Sequence, residues 1–339
     1  MIRVREVLAL ALTFVGTVIG AGFASGQELL HFFVRFGDKG LWGALLAGAG
    51  FMLVGTLVFK LAYQNGIASY NEFLTYLFDR KTGRIADFWL SLYLFGGLVV
   101  MLAGCGAVFK EYLSLSGLLG VVISTIILII CLFFREKGLL AFNVALVPAI
   151  VAGSLLVVML AGDGQGVPLN PVEGKAVSGW LVSAILYISY NMISGLVLLV
   201  KFSNIRFTDG VWGTVLGGLV LGLLAWLMTK ALLNNYSVVN SLEVPMLYLA
   251  HRESTWLGFG YAVVLWLAML TSAIVNGGVL AFRLAKDYHS YPFIVVFLLV
   301  IAAGFSNAGF SALVKTIYPL FGYLNLAVLA TIVVKYISN

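Results

Sequence analysis

The chain has 339 residues, of which 62% are hydrophobic and 10% charged, and its mean hydropathy is +1.06. A soluble globular domain carries about 25% charged residues, so the composition excludes a soluble enzyme or binding domain and implies an integral membrane protein. The net charge of +6 follows the membrane and implies no nucleic-acid partner, while Cys105 and Cys131, both in apolar stretches, offer neither a disulfide framework nor a metal cluster.

Crossing a bilayer takes about 20 apolar residues. Ten such spans are read at roughly 5–36, 40–63, 85–110, 117–134, 138–162, 177–201, 208–231, 255–284, 291–308 and 309–336. The first exceeds a signal-peptide core and has no small-residue cleavage site, so it is expected to be retained. It contains Val15-Gly16-Thr17-Val18-Ile19-Gly20-Ala21-Gly22-Phe23-Ala24-Ser25-Gly26-Gln27-Glu28. Each of its glycines costs a helix roughly 1 kcal/mol relative to Ala. Backbone groups freed at membrane depth survive only inside protein or beside a polar cavity, and a Gly-interrupted span points to a transporter's binding site. Close helix packing through a Gly16-x-x-x-Gly20 face is the alternative.

Farther along, 69–78 has an amphipathic pattern, and Ser241–Ala250 is long enough for an interfacial helix. The sixth span is interrupted by Ser189-Tyr190-Asn191-Met192-Ile193-Ser194-Gly195, and the break between the ninth and tenth rests on Ser306-Asn307. With the N-terminus inside, thirteen Lys and Arg fall on the cytoplasmic side against six outside, with Lys315 inside a span. This bias places both termini in the cytoplasm. One offset of 171 residues carries Gly138, Ala141 and Pro148 onto Gly309, Ala312 and Pro319, Gly106 onto Gly277, and Ile19-Gly20 onto Tyr190-Asn191. Five spans per half would make halves 1–165 and 172–336 an inverted repeat.

The Gly-x-x-Ile-Gly-Ala-Gly core of span 1 and Ala268-Met269-Leu270-Thr271-Ser272 of span 8 resemble the amino acid–polyamine–organocation superfamily with its LeuT-type fold. The GAGFASGQE segment, Glu243-Val-Pro-Met and Tyr318-Pro-Leu-Phe-Gly are similar to the YkvI-type bacterial membrane proteins within it. The resemblance implies an all-α bundle of ten transmembrane helices in a 5+5 inverted repeat, with helices 1 and 6 broken. It further implies a secondary active transporter in the bacterial plasma membrane, moving a small organic solute such as an amino acid with sodium or proton coupling. A solute sensor of the same fold is the alternative function.

By the resemblance, carbonyls of Gly16 and Ile19 would face the carbonyl of Ala268 and the hydroxyls of Thr271 and Ser272. That neutral set of hard oxygens suits a monovalent cation better than a transition metal. Thr271 and Ser272 bonding back to their own helix is the competing arrangement. The solute would lie between the two breaks, at Gly20 and the N–H groups of Ala21, Gly22 and Phe23, opposite Tyr187, Ser189, Tyr190 and Asn191. Those N–H groups suit an anion such as a carboxylate. Glu28 and Lys315 lie at similar depths, about 12 and 9 Å from the outer surface, and are a candidate gate pair. Glu28, with His31 one turn on, is also a candidate for proton coupling. No cofactor is implied beyond the ion, and no enzyme is expected: His251 and His289 fall in connections, His31 lies near the end of span 1, there is no H-E-x-x-H, and Gly162-Asp163-Gly164 has no second membrane Asp.

Overall fold

The structure, a computed structural model, describes residues 3–78, 80–134, 139–161, 179–285 and 287–338, the side chains at 80–87, 134 and 139–145 excepted. Gly138 of the repeat, Gly162-Asp163-Gly164 and the basic residues Arg135, Lys137, Lys175 and Lys286 lie outside the described residues.

Span 1 folds as three consecutive helices, α1 (Val4–Val18), α2 (Ala21–Ser25) and α3 (Gln27–Phe32), ending in a 3-10 turn at Val34–Phe36. Then follow α4 (Asp38–Gln64), the short α5 (Tyr70–Leu77), α6 (Arg80–Glu111), α7 (Gly117–Phe134) and α8 (Leu139–Leu160). After the undescribed connection come α9 (Trp180–Lys201), α10 (Phe207–Asn234), the short α11 (Tyr236–Val239) and α12 (Pro245–Glu253), α13 (Thr255–Leu284), α14 (Ser290–Ser306) and α15 (Phe310–Ser338). Six of these, α4, α6, α9, α10, α13 and α15, are long and apolar enough to cross a membrane, and α7, α8 and α14 supply shorter apolar helices.

The two amphipathic connections are helical where expected. In α5 the Ser69 side chain accepts from Glu72 N, satisfying an N–H that helix geometry leaves without a partner. In α12, Pro245 at the helix start needs no donor of its own. The α14–α15 break falls at 307–309, where Gly309 takes φ +89°.

Span 6 differs from expectation. Its Ser-Asn-Gly stretch does not unwind: α9 is continuous from Trp180 to Lys201. The polar side chains find partners without opening the helix. Asn191 Nδ2 donates to Tyr187 O at 3.0 Å in its own helix, Ser189 Oγ donates to Gly322 O at 2.7 Å, and Asn325 Nδ2 donates to Ser189 O. Gly195 gives Phe14 room, since a Cβ there would lie 3.0 Å from its ring.

Cross-contacts locate the two ends of the bundle. At one end Arg3 N donates to Asp209 Oδ1 at 3.1 Å, and Lys335 Nζ lies 5.3 Å from the centre of the Tyr76 ring of α5. Both termini therefore sit there. At the other end Glu111 accepts from Val244 N at 2.9 Å, and Phe310 N donates to Glu243 Oε2 at 2.7 Å. In the packed interior α4 crosses α10 at backbone contact: a Cβ on Gly48 would lie 2.5 Å from Gly222 Cα. With no hydrophobic drive between helices in lipid, such close approach is what brings dispersion forces into play.

Candidate solute and ion site

The first helix ends because its hydrogen bonding changes register. Ile19 N still donates to Val15 O at 2.8 Å, but Gly20 N turns to Val18 O at 2.9 Å. That is a three-residue turn about Ile19, whose ψ of 86° has left the helical region. The next helical donor is Ala24 N, bonded to Gly20 O at 3.0 Å. The carbonyls of Gly16, Thr17 and Ile19 are thereby left without the N–H groups a continued helix would give them. Past α2 the opposite holds. Gly22 O accepts from Ser25 Oγ at 2.7 Å, Phe23 O from Gly26 N at 3.0 Å, and Ala24 O from Tyr261 Oη at 2.6 Å. One side of the break is closed by the protein; the other is open.

The open side faces a cavity of about 540 Å³ whose wall includes Gly16, Thr17, Ile19 and Gly20. A Cβ on Gly20 would meet nothing within 4 Å, so this glycine is not a packing residue. Its extended backbone, φ −93° and ψ −177°, is open to any residue; what it contributes is empty space. The cavity runs from Glu28 at its deep end to Tyr70 of α5 and Arg283 in the last turn of α13, towards the end that bears the termini. On the far side, Tyr187 packs at ring-centre distances of 5.2, 4.9 and 5.9 Å against Phe32, Phe33 and Phe51, and all four are buried. This aromatic layer closes the other end.

Glu28 is 2% exposed. Its Oε1 accepts from Tyr190 Oη at 3.4 Å, and its Oε2 has no hydrogen-bond partner. The carboxylate occupies the space a side chain at residue 22 would need: a Cβ on Gly22 would overlap Oε1 and lie 3.2 Å from Tyr318 Oη. The rings of Tyr190 and Tyr318 stack at 4.4 Å with an 18° interplanar angle, and Tyr93 Oη hydrogen-bonds Ser194 Oγ at 3.0 Å beside them. The formally charged residues on the wall are Glu28 and Arg283.

Of the residues expected to hold an ion, Gly16, Ile19, Ala268 and Ser272 share this wall. Thr271 is buried off it and donates to Ala268 O at 3.1 Å. Of the solute residues, Gly20, Ala21, Gly22, Tyr190 and Asn191 line the cavity. Phe23 is buried outside it, Tyr187 lies in the aromatic layer, and Ser189 is turned to α15. The gate pair is not formed. The ion pairs among the described residues are Arg3–Glu6 and Arg252–Glu253; the Lys315 side chain is exposed, and α15 meets Glu28's surroundings through Tyr318 instead. Equal depth fixes height along the bundle but not direction around a helix. His31 is buried with Nε2 unpartnered and does not reach the cavity. Sequence reasoning missed Tyr93, Ser194, Asn276 and Tyr318 on the wall. Ser194, inside the polar stretch of span 6, and Tyr318, in the motif that closes the chain, carried a signal.

No family model matches the chain. Over more than nine-tenths of its length the fold resembles solved structures of membrane proteins: Mhp1 in its inward-facing conformation (TM-score 0.63, 16% identity, 95% of this chain and 73% of that one), a sodium-coupled sialic acid symporter (0.60, 12%, 93% and 76%) and a manganese transporter of Eremococcus coleocola (0.60, 14%, 94% and 77%). In sequence it is 28% identical to the YyaD protein of Bacillus subtilis over 94% of this chain and 93% of that one. It is 30% identical to the membrane protein YkvI of the same organism over 96% of this chain and 95% of its relative. The chain belongs to the YkvI family of multi-pass membrane proteins.

Proposed function

We propose that this protein is a secondary active transporter that moves a small organic solute by alternating access, and that the structure is its inward-facing state. The reading takes ten spans in two inverted halves, 1–165 and 172–336, with both termini in the cytoplasm of a bacterial plasma membrane. The thirteen-to-six basic bias supports that orientation. The cavity then opens to the cytoplasm and the aromatic layer closes the outside.

The observation that carries the reading is the one-sided break in span 1. Backbone at membrane depth normally satisfies its own hydrogen bonds, yet three carbonyls here face a cavity large enough for a metabolite. Oxygen ligands without a protein donor are what a transported cation or a polar solute requires. The coupling ion is sodium, held by carbonyls of Gly16, Ile19 and Ala268 with the hydroxyls of Thr271 and Ser272, or a proton carried by Glu28. Among the described residues no three of His, Cys, Asp and Glu come together.

The test is uptake by purified protein in proteoliposomes, with a pooled metabolite panel read by mass spectrometry under imposed sodium or proton gradients. Gradient-driven accumulation of one solute is the expected result. Binding without uptake would make the protein a sensor of this fold.

A further inference from the structure

The outer end of span 1 gathers basic side chains without an acid to answer them. Arg35 lies in the 3-10 turn after α3, and its Nε and Nη2 are buried with no hydrogen-bond partner. Those two nitrogens share one edge of the guanidinium, a planar fork that matches the paired oxygens of a carboxylate or oxyanion. One turn deeper, His31 is 5% exposed and its Nε2 is also unpartnered. Arg35 and Lys315 both lie close enough to act on that imidazole electrostatically, so Lys315, not paired with Glu28, belongs to this cluster. The ion pairs among the described residues are Arg3–Glu6 and Arg252–Glu253, and Asp38, three residues past Arg35, is exposed. The neighbours of the guanidinium are instead aromatic: the Phe36 ring centre lies 4.7 Å from Cζ, and Tyr236 of α11 is within electrostatic range. Arginine keeps its charge at every physiological pH, and a buried charge is unfavourable unless paired. An anion is the complement that this end of the protein calls for.

We propose that Arg35 and His31 form a binding site for a small carboxylate or inorganic oxyanion from the outer medium, distinct from the inner cavity, which neither residue lines. The Arg35 fork takes two oxygens of the anion. His31, in the tautomer that carries its proton on Nε2, donates to one of them or to a third. Lys315 is exposed and adds its charge at longer range. The inference goes beyond the transporter reading and takes one element from it, that the outer end opens. In the closed end both donors are buried, so the anion reaches them in the outward-open form. Filling the site then draws the protein into that form, because a ligand favours the state that binds it. The same chemistry serves a free anion and the carboxylate of an arriving solute.

Full-length protein in detergent at about pH 7.5 tests the site through a single cysteine, Val279→Cys on the inner cavity wall, in a background lacking Cys105 and Cys131. Maleimide labelling and melting temperature are measured in sodium acetate, phosphate or sulfate against chloride, with sodium and ionic strength matched by choline chloride. At least one oxyanion is expected to raise the melting temperature and to slow labelling about threefold or more, both saturably. Arg35→Gln should abolish both effects without lowering the melting temperature in chloride, because the charge it removes has no partner to lose. Arg35→Lys keeps the charge but not the fork and should weaken the anion about tenfold or more. His31→Leu should weaken it about threefold, and Lys315→Met less than that. In proteoliposomes, external acetate that competes with solute uptake identifies the solute's own carboxylate as the ligand; acetate that leaves or raises uptake identifies a free anion. Arg35-dependent stabilisation with unchanged labelling would keep the anion site and refute its link to outward opening. Equal behaviour in oxyanions and chloride, or an oxyanion effect that survives Arg35→Gln, would overturn the site. Solute uptake that persists beside such a failure would leave the transporter standing.

Discussion

Three glycines of one motif, seven residues from first to last, do three different jobs. Gly26 takes φ +84° and closes α2, and a Cβ there would also lie 2.9 Å from Met246 Cγ. An L-residue in the left-handed region costs roughly 1–2 kcal/mol, and the contact adds to it. Gly26→Ala should therefore lower the melting temperature in detergent by several degrees, while Gly20→Ala, facing open space, should leave it unchanged. Equal effects would contradict the conformations assigned to both. Gly22→Ala should keep the fold but displace the Glu28 carboxylate, weakening solute binding at least tenfold. Lys315 supplies the contrasting case. If Glu28 and Lys315 were paired, neutralising both would be milder than neutralising either; unpaired, their effects add. Lys315→Met is expected to be near-neutral in uptake, and Glu28→Gln with Lys315→Met no better than Glu28→Gln alone.

At the scale of elements, span 1 could be read from sequence and span 6 could not. Four glycines between residues 16 and 26 leave a helix little to hold it together, and no packing partner is needed to see this. The Ser189–Gly195 stretch reads much the same as letters, but its outcome depends on residues far along the chain: Gly322 and Asn325 on α15 and Phe14 on α1. Local pattern cannot contain that information. The same limit explains the site. The broken backbone marked the cavity, whereas Tyr93, Asn276 and Tyr318 joined it only through the packing of α6, α13 and α15. The support of α2 follows this logic in reverse, since its Ala24 carbonyl is held by Tyr261 of α13, whose hydroxyl also meets Ser154 Oγ of α8 at 3.0 Å. Tyr261→Phe strands a buried carbonyl and should cost about 1–3 kcal/mol. If α2 is a working part of the site, uptake should fall more steeply than stability. A loss of stability with unchanged uptake would show that the second half of the break is mere scaffold.

For the whole molecule, the asymmetry between an open cavity and a sealed aromatic layer becomes a statement about states. Tyr187 is fully buried and touches three rings, and its hydroxyl has no hydrogen-bond partner. The ring contacts hold this side chain, with its hydroxyl beside Glu28 and Asn191. Aromatic contacts contribute about 0.5–1.5 kcal/mol each beyond burial. Truncating Tyr187 to Ala should therefore destabilise the closed outer end by about 2 kcal/mol or more, enough to shift the balance of states more than tenfold if the opposite state lacks these contacts. Accessibility reports the shift. In a background lacking Cys105 and Cys131, Val279→Cys lies on the cavity wall and is 45% exposed at the parent residue, whereas His31→Cys lies behind the layer, 5% exposed. A membrane-impermeant maleimide should label position 279 from the side of the termini and leave position 31 unlabelled. Adding Tyr187→Ala should slow labelling at 279 and expose position 31 from the opposite side. Faster labelling at both positions from one side would mean that the layer is a plug in a single channel, and alternating access would be wrong for this protein.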